Sequence, residues 1–237
     1  MKKHIAKRII IQLFFSTLVF VLACSNKNEI QKPSGIWDIE KNGIPKFVET
    51  NYIELDKIYR ISKYRSSVGH DYSDAFEHCR SMKHYFEPRS DIDWSTIKIF
   101  SPISGTITRF EYEWAGVKIE IESSDYPAFR FTIFHINSLK QYNLGDKVVA
   151  GEQLGTHIGL QTMSDISVIV NDITQQGRMV SYFDVISNSI FSEYLNRGVT
   201  NREELIIPKS TRDANSLTCS GDTFVSTDTL ENWVILK

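Results

Sequence analysis

The strongest constraint on how this chain can fold lies between residues 97 and 170, where short segments rich in β-branched and aromatic residues are punctuated by glycine. The segments 97–100, 106–110, 117–122, 129–135 and 167–170 have the length and composition of strands and are too short for stable helices. In Val117-Lys118-Ile119-Glu120-Ile121-Glu122 every second side chain is apolar. Because strand side chains alternate between faces, one face is expected to pack on a core and the other to meet water. The pattern predicts a mainly β, antiparallel domain.

After Asp172 the period changes. Tyr182, Phe183, Val185, Ile186, Ile190, Phe191, Tyr194 and Leu195 recur largely at three- and four-residue intervals, which predicts a helical face. Ser181 can cap its start, Asp184 suits its first turn and Gly198 sits where a helix commonly stops. Thr200 with Glu203 has the capping-box pattern and predicts a second short helix that Pro208 ends. The apolar cluster Trp233-Val234-Ile235-Leu236 predicts a tail that docks back as a strand.

The first residues carry Lys2, Lys3, Lys7 and Arg8 and no acid, followed by a largely apolar run that ends in Val21-Leu22-Ala23-Cys24. That is a basic region followed by an apolar region shorter than the helix of about 20 residues needed to cross a bilayer. The ending resembles a lipobox, the processing motif of bacterial lipoproteins. It implies cleavage before Cys24, lipid on that cysteine, and a place in the cell envelope at the outer membrane. The sequence holds 27 basic and 29 acidic residues, and four of the basic ones would leave with residues 1–23, so the remainder carries a net charge of −6. Nothing in that balance suits nucleic acid.

Three cysteines are present. With Cys24 lipidated, Cys79 and Cys219 would remain in an oxidising compartment, and pairing between them is expected. A zinc site from His78, Cys79 and His84 lacks a second Cys or His pair at finger spacing.

Four motifs, read in order, resemble the LytM or M23 zinc metallopeptidase domain, a β fold that cleaves cross-links of bacterial cell-wall peptide. Gly69-His70-Asp71-Tyr72-Ser73-Asp74 looks like its His-x-x-x-Asp element, Ser101-Pro102-Ile103-Ser104-Gly105-Thr106-Ile107 like its Ala-Pro-x-x-Gly-x-Val turn, and Phe134-His135-Ile136 like its catalytic-histidine strand. The stretch from Leu144 to Gly155 looks like its Gly-Asp-x-Val-x-Ala-Gly-x-x-Ile-Gly loop. The resemblance implies an antiparallel β-sandwich core, the LytM-like hybrid motif, over residues 61–175, with an insertion near 75–95. Around it would lie a signal peptide at 1–23, a tether and N-terminal extension at 24–60, and a helical extension at 176–237.

It also implies zinc bound by His70, Asp74 and the second histidine of a His-x-His strand. Here that strand reads Asp165-Ile166-Ser167, so Ser167 stands at the third ligand position and Asp165 at that of a catalytic histidine. A serine hydroxyl is a poor substitute for imidazole. His135 and Asp165 then read as a remnant catalytic pair, and His70 and Asp74 as remnant metal ligands. The expectation is a non-catalytic protein with no cofactor, anchored to a membrane through Cys24, that binds a peptide, a peptidoglycan stem or a partner such as a cell-wall enzyme. The competing expectation is a zinc endopeptidase in which Asp165 replaces the missing ligand. His4 and His157 read as bystanders.

Overall fold

A computed structural model describes residues 35–237. Cys24, His4 and the proposed signal peptide therefore lie outside the described residues. The described residues fall within one compact unit.

The chain enters through a short helix, α1 (Ile39–Asn42), capped by the Asp38 carboxylate on the Lys41 amide. Two strands follow, β1 (Ile58–Ser62) and β2 (His84–Pro88). The expected β segments come next as β3 (Lys98–Phe100), β4 (Gly105–Tyr112), β5 (Val117–Ser123) and β6 (Phe129–Ser138). After them run β7 (Lys147–Val148), β8 (Gln153–His157), β9 (Ser164–Asn171) and β10 (Gln176–Val180). Within the 11-stranded sheet, β2, β9, β6, β5 and β4 lie side by side and every pair is antiparallel.

The register assigns each side chain a face. Ile119, Ile133, Ile166 and Phe86 fall on one side and are fully buried. Together with Phe131, Val168, Phe183 and Ile190 they form the main core. The other face carries Lys118, Glu120, Thr132, Phe134, Ser167, Asp165 and Tyr85. The alternation in β5 is thus real, but its polar face does not simply meet water: Lys118 is 18% exposed and Glu120 6%. Loops fold over that face and make it the wall of a groove.

The C-terminal part is helical only in places. The helical period at 182–195 becomes two helices, α2 (Tyr182–Val185) and α3 (Asn188–Leu195). The break falls at Ile186-Ser187, where Ser187 caps a new helix and Ile186 bridges to Val48. Ser181 caps α2 as expected, in a capping box with Asp184. Thr200 and Glu203 do not form a capping box. Asn201 caps a single 3₁₀ turn at Arg202–Leu205, and Thr200 bonds to Glu204 instead.

A further helix, α4 (Lys209–Ala214), places Arg212 fully inside the protein, where its guanidinium grips both oxygens of Asp228 at 2.7 and 3.0 Å. A two-stranded ribbon, β11 (Cys219–Ser220) and β12 (Thr223–Phe224), follows, and the tail returns as β13 (Trp233–Ile235) against β1. Cys79 and Cys219 are disulfide-bonded across 140 residues.

His84 links the layers. Its Nδ1 donates to the Ser62 carbonyl at 2.8 Å, and Ser181, the cap of α2, lies 2.8 Å from its Nε2. Burial pushes this imidazole down to about 4. A histidine depressed below its unfolded value adds nothing to instability above pH 6.5, but below it the unfolded chain takes up a proton that the native state refuses. Stability should therefore fall between pH 6.5 and 4, with His84 contributing a loss of about 3 kcal/mol; urea titrations of His84→Gln should show a shallower slope across that window. Replacing both Cys79 and Cys219 by alanine should cost roughly 4 to 5 kcal/mol in the chain-entropy view, measurable as a drop in denaturation midpoint with the slope followed alongside.

Candidate functional site

The groove over the polar face of the sheet measures about 400 Å³, with His70, Tyr72, Lys83, Trp114, Phe134 and His135 among its lining residues. Two of these arrive through one irregularity. Val117 pairs with Ile136 and Ile119 with Ile133, so Phe134 and His135 together stand opposite Lys118. This is a β-bulge, which re-aims side chains at the cost of local strain. His135 sits at φ +61°, in the left-handed region that residues other than glycine adopt uncommonly and at some cost. Its Nδ1 donates to the Ala115 carbonyl at 3.1 Å, and Trp114, 77% exposed, leans on its ring at 5.6 Å.

Asp165 and Ser167 both point to this face, as strand alternation requires. Asp165 is completely buried. One of its oxygens lies 3.5 Å from His135 Nε2 and the other 2.7 Å from Lys83 Nζ. Lys83, itself 2% exposed, sits just before β2, two residues from Tyr85 on the same face. Its ammonium is 3.6 Å from the centre of the Phe134 ring, 4.3 Å from that of Tyr72 and 5.7 Å from that of Tyr85. The carboxylate on the site face is thus paired with a cation from the protein's own chain. Tyr72 stands edge-on to Phe134 at 5.6 Å. Burial raises its phenol above the usual range, and the Ser167 hydroxyl opposes that shift.

His70 and Asp74, expected from sequence as remnant metal ligands, do not line the same pocket. His70 lines the groove and is tied through Nδ1 to the Asp71 carbonyl at 2.9 Å. Asp74 faces a different, smaller pocket beside Arg65 and Glu77. Its Oδ1 accepts the amides of Phe76 and Glu77 at 2.9 and 3.0 Å, and its Oδ2 accepts that of Met179 at 2.9 Å. A carboxylate whose two oxygens hold three backbone amides serves the fold, since it closes the 74–77 turn and ties it to β10. Among the described residues, no three His, Cys, Asp or Glu side chains come together as a metal cage. With Asp74 engaged, a hydroxyl at 167 and an ammonium on Asp165, this donor set does not fit a catalytic zinc.

His157, read from sequence as a bystander, is buried and close enough to Asp165 and His135 to feel both. Burial first, then the neighbouring His135, push its imidazole down to about 4, with Asp165 opposing. Its Nδ1 accepts the Gly159 amide at 2.9 Å, which places its proton on Nε2. Lys83 is the residue that sequence reasoning missed. It lay inside the segment read as an insertion, yet Met82-Lys83-His84-Tyr85-Phe86 alternates as a strand should, with His84 and Phe86 on the core face and Lys83 and Tyr85 on the other. The zinc set of His78, Cys79 and His84, already set aside on spacing, is also precluded by the disulfide and by the buried bonds of His84.

No family model matches the sequence, and no curated protein matches it. Solved structures that match include LytM- and M23-type peptidases. The catalytic domain of lysostaphin from Staphylococcus simulans is 18% identical over 48% of this chain and 81% of its own, with a TM-score of 0.34. Csd3 of Helicobacter pylori is 15% identical over 81% of this chain and 45% of its own, with a TM-score of 0.44. The SpoIIQ protein of a SpoIIQ–SpoIIIAH pore-forming complex gives 11% identity over 64% of this chain, with a TM-score of 0.41. A LytM protein from Ruminococcus gnavus matches over 43% of its own length. The chemistry of the site is therefore read from this chain's own residues.

If Asp74 holds backbone and not metal, Asp74→Ala should lose about 1–3 kcal/mol of stability, and neither excess zinc nor a chelator should change the midpoint of the wild type or the variant in thermal melts.

Proposed function

We propose that this chain is a non-catalytic, lipid-anchored protein of the bacterial cell envelope, in which a LytM-like domain uses its surviving groove to hold a peptide: a cell-wall stem or a segment of a partner such as a cell-wall enzyme. The single observation that carries this reading is the Lys83 ammonium, 2.7 Å from Asp165, on the face where peptide hydrolysis would need a metal-bound water. Hydrolysis by the metal-dependent route uses a general base, a Lewis acid and a group to steady the oxyanion. His135 remains at hand, but Asp165 is committed to Lys83 and Asp74 to backbone.

Peptide holding asks for less. The rim offers an exposed indole at Trp114, the His70 ring, Met163 and Thr162. Aromatic and thioether side chains of this kind make adaptable contacts with peptide side chains. Membrane attachment in this reading is through lipid on Cys24, as the lipobox resemblance implies.

The zinc endopeptidase reading would need Asp165 to leave Lys83 and turn toward a metal. The experiment that separates the two measures zinc by mass spectrometry in the purified full-length protein and tests it against stem-peptide substrates. The expected result is substoichiometric zinc, no cleavage, and binding of stem peptide that weakens when Trp114 is replaced by alanine. About one zinc per chain with turnover would overturn the proposal.

A further inference from the structure

We propose that the floor of the groove is a recognition site for a primary ammonium group, and that its resident ligand is the side chain of Lys83. The inference concerns the floor alone and does not rest on what binds at the rim. A lysine ammonium offers three N–H donors on a single point of charge. Here one donor meets Asp165 Oδ2 at 2.7 Å, and the ring centres of Phe134, Tyr72 and Tyr85 stand 3.6, 4.3 and 5.7 Å away. Aromatic faces attract a cation through their quadrupole, most strongly where water is excluded, and both partners of this pair are almost wholly buried.

The chemistry of the wall selects the class of ligand. A divalent metal needs lone pairs at bonding distance from several sides, and ring faces supply none. A guanidinium carries five N–H donors in a rigid fork, which one carboxylate oxygen and three ring faces would leave unsatisfied. A single alkylammonium fits: its charge lies against Asp165 and its methylenes against the aromatic walls. In the native chain Lys83 fills this place from within, so the site is closed to metal and to any amine borne by a ligand.

Removing the resident exposes the site. Lys83→Ala deletes three methylenes and the ammonium, the atoms of n-propylammonium. In the full-length protein this variant should melt roughly 10 °C below wild type, because Asp165 is left buried and unpaired. Millimolar n-propylammonium should raise the melting temperature of the variant by roughly 4 °C and leave wild type unmoved. n-Propanol, potassium and zinc should not reproduce the effect, and the added Asp165→Asn substitution should abolish it.

If Lys83→Ala is recovered only unfolded, its refolding yield from denaturant with the disulfide intact, measured across the same panel, gives the same reading. Equal rescue by propanol would show a plain cavity, rescue by zinc would show a masked metal site, and no response to the amine would show no ammonium site; each of these overturns the inference.

Discussion

The arrangement of the groove depends on one buried ion pair. Asp165 is fixed by β9 in the middle of the sheet, completely removed from water, and an isolated carboxylate there would be untenable. Lys83 resolves this from the neighbouring chain segment, and the aromatic rings of Phe134, Tyr72 and Tyr85 close over the resulting pair. Each of those rings comes from a different part of the fold: the bulge in β6, the 69–74 loop and β2. Placing the pair thus fixes the loop over the sheet. The Lys83 ammonium is thus the point around which that face of the sheet is organised.

The two faces of the sheet have different roles. The apolar face, built from Ile119, Ile133, Ile166 and Phe86, makes the core, and the helices of the C-terminal part pack on it through Phe183, Ile190 and Tyr194. The opposite face holds the charged and aromatic residues of the groove. The bulge at Phe134-His135 is where core and groove meet: one extra residue turns a second side chain toward the groove, and the backbone at His135 absorbs the strain. The disulfide, the Arg80–Asp213 ion pair and the bond from Arg212 to the Arg65 carbonyl then hold the C-terminal part against the loop segment that carries His70 and Asp74.

Much of this was legible in the sequence. Alternation in β5 and the glycine punctuation around the β segments set the antiparallel sheet, and the two-residue period put Asp165 and Ser167 on one face. The tail strand at 233–235 and the Ser181 cap followed from equally local signals, and the pairing of Cys79 with Cys219 from the cysteine count and the expected oxidising compartment. What was not legible was non-local. Nothing near Lys83 in the sequence announces that its partner is 82 positions away, and nothing at Asp74 announces that the Met179 amide will claim its second oxygen. The single helical period at 182–195 hid a break because Ser187 can cap as well as continue a helix, and only the contact of Ile186 with Val48 decides between them.

The central claim is that Lys83 and Asp165 act as one unit, and a double-mutant cycle on folding stability measures that directly. With Lys83→Met, Asp165→Leu and the double variant compared by urea denaturation, a buried mutual pair predicts a loss of about 3–5 kcal/mol in each single variant and a much smaller loss in the double, because no charge is then left stranded. Losses that simply add, to within about 0.5 kcal/mol, would mean that the two residues do not depend on each other and that the groove is organised by something else.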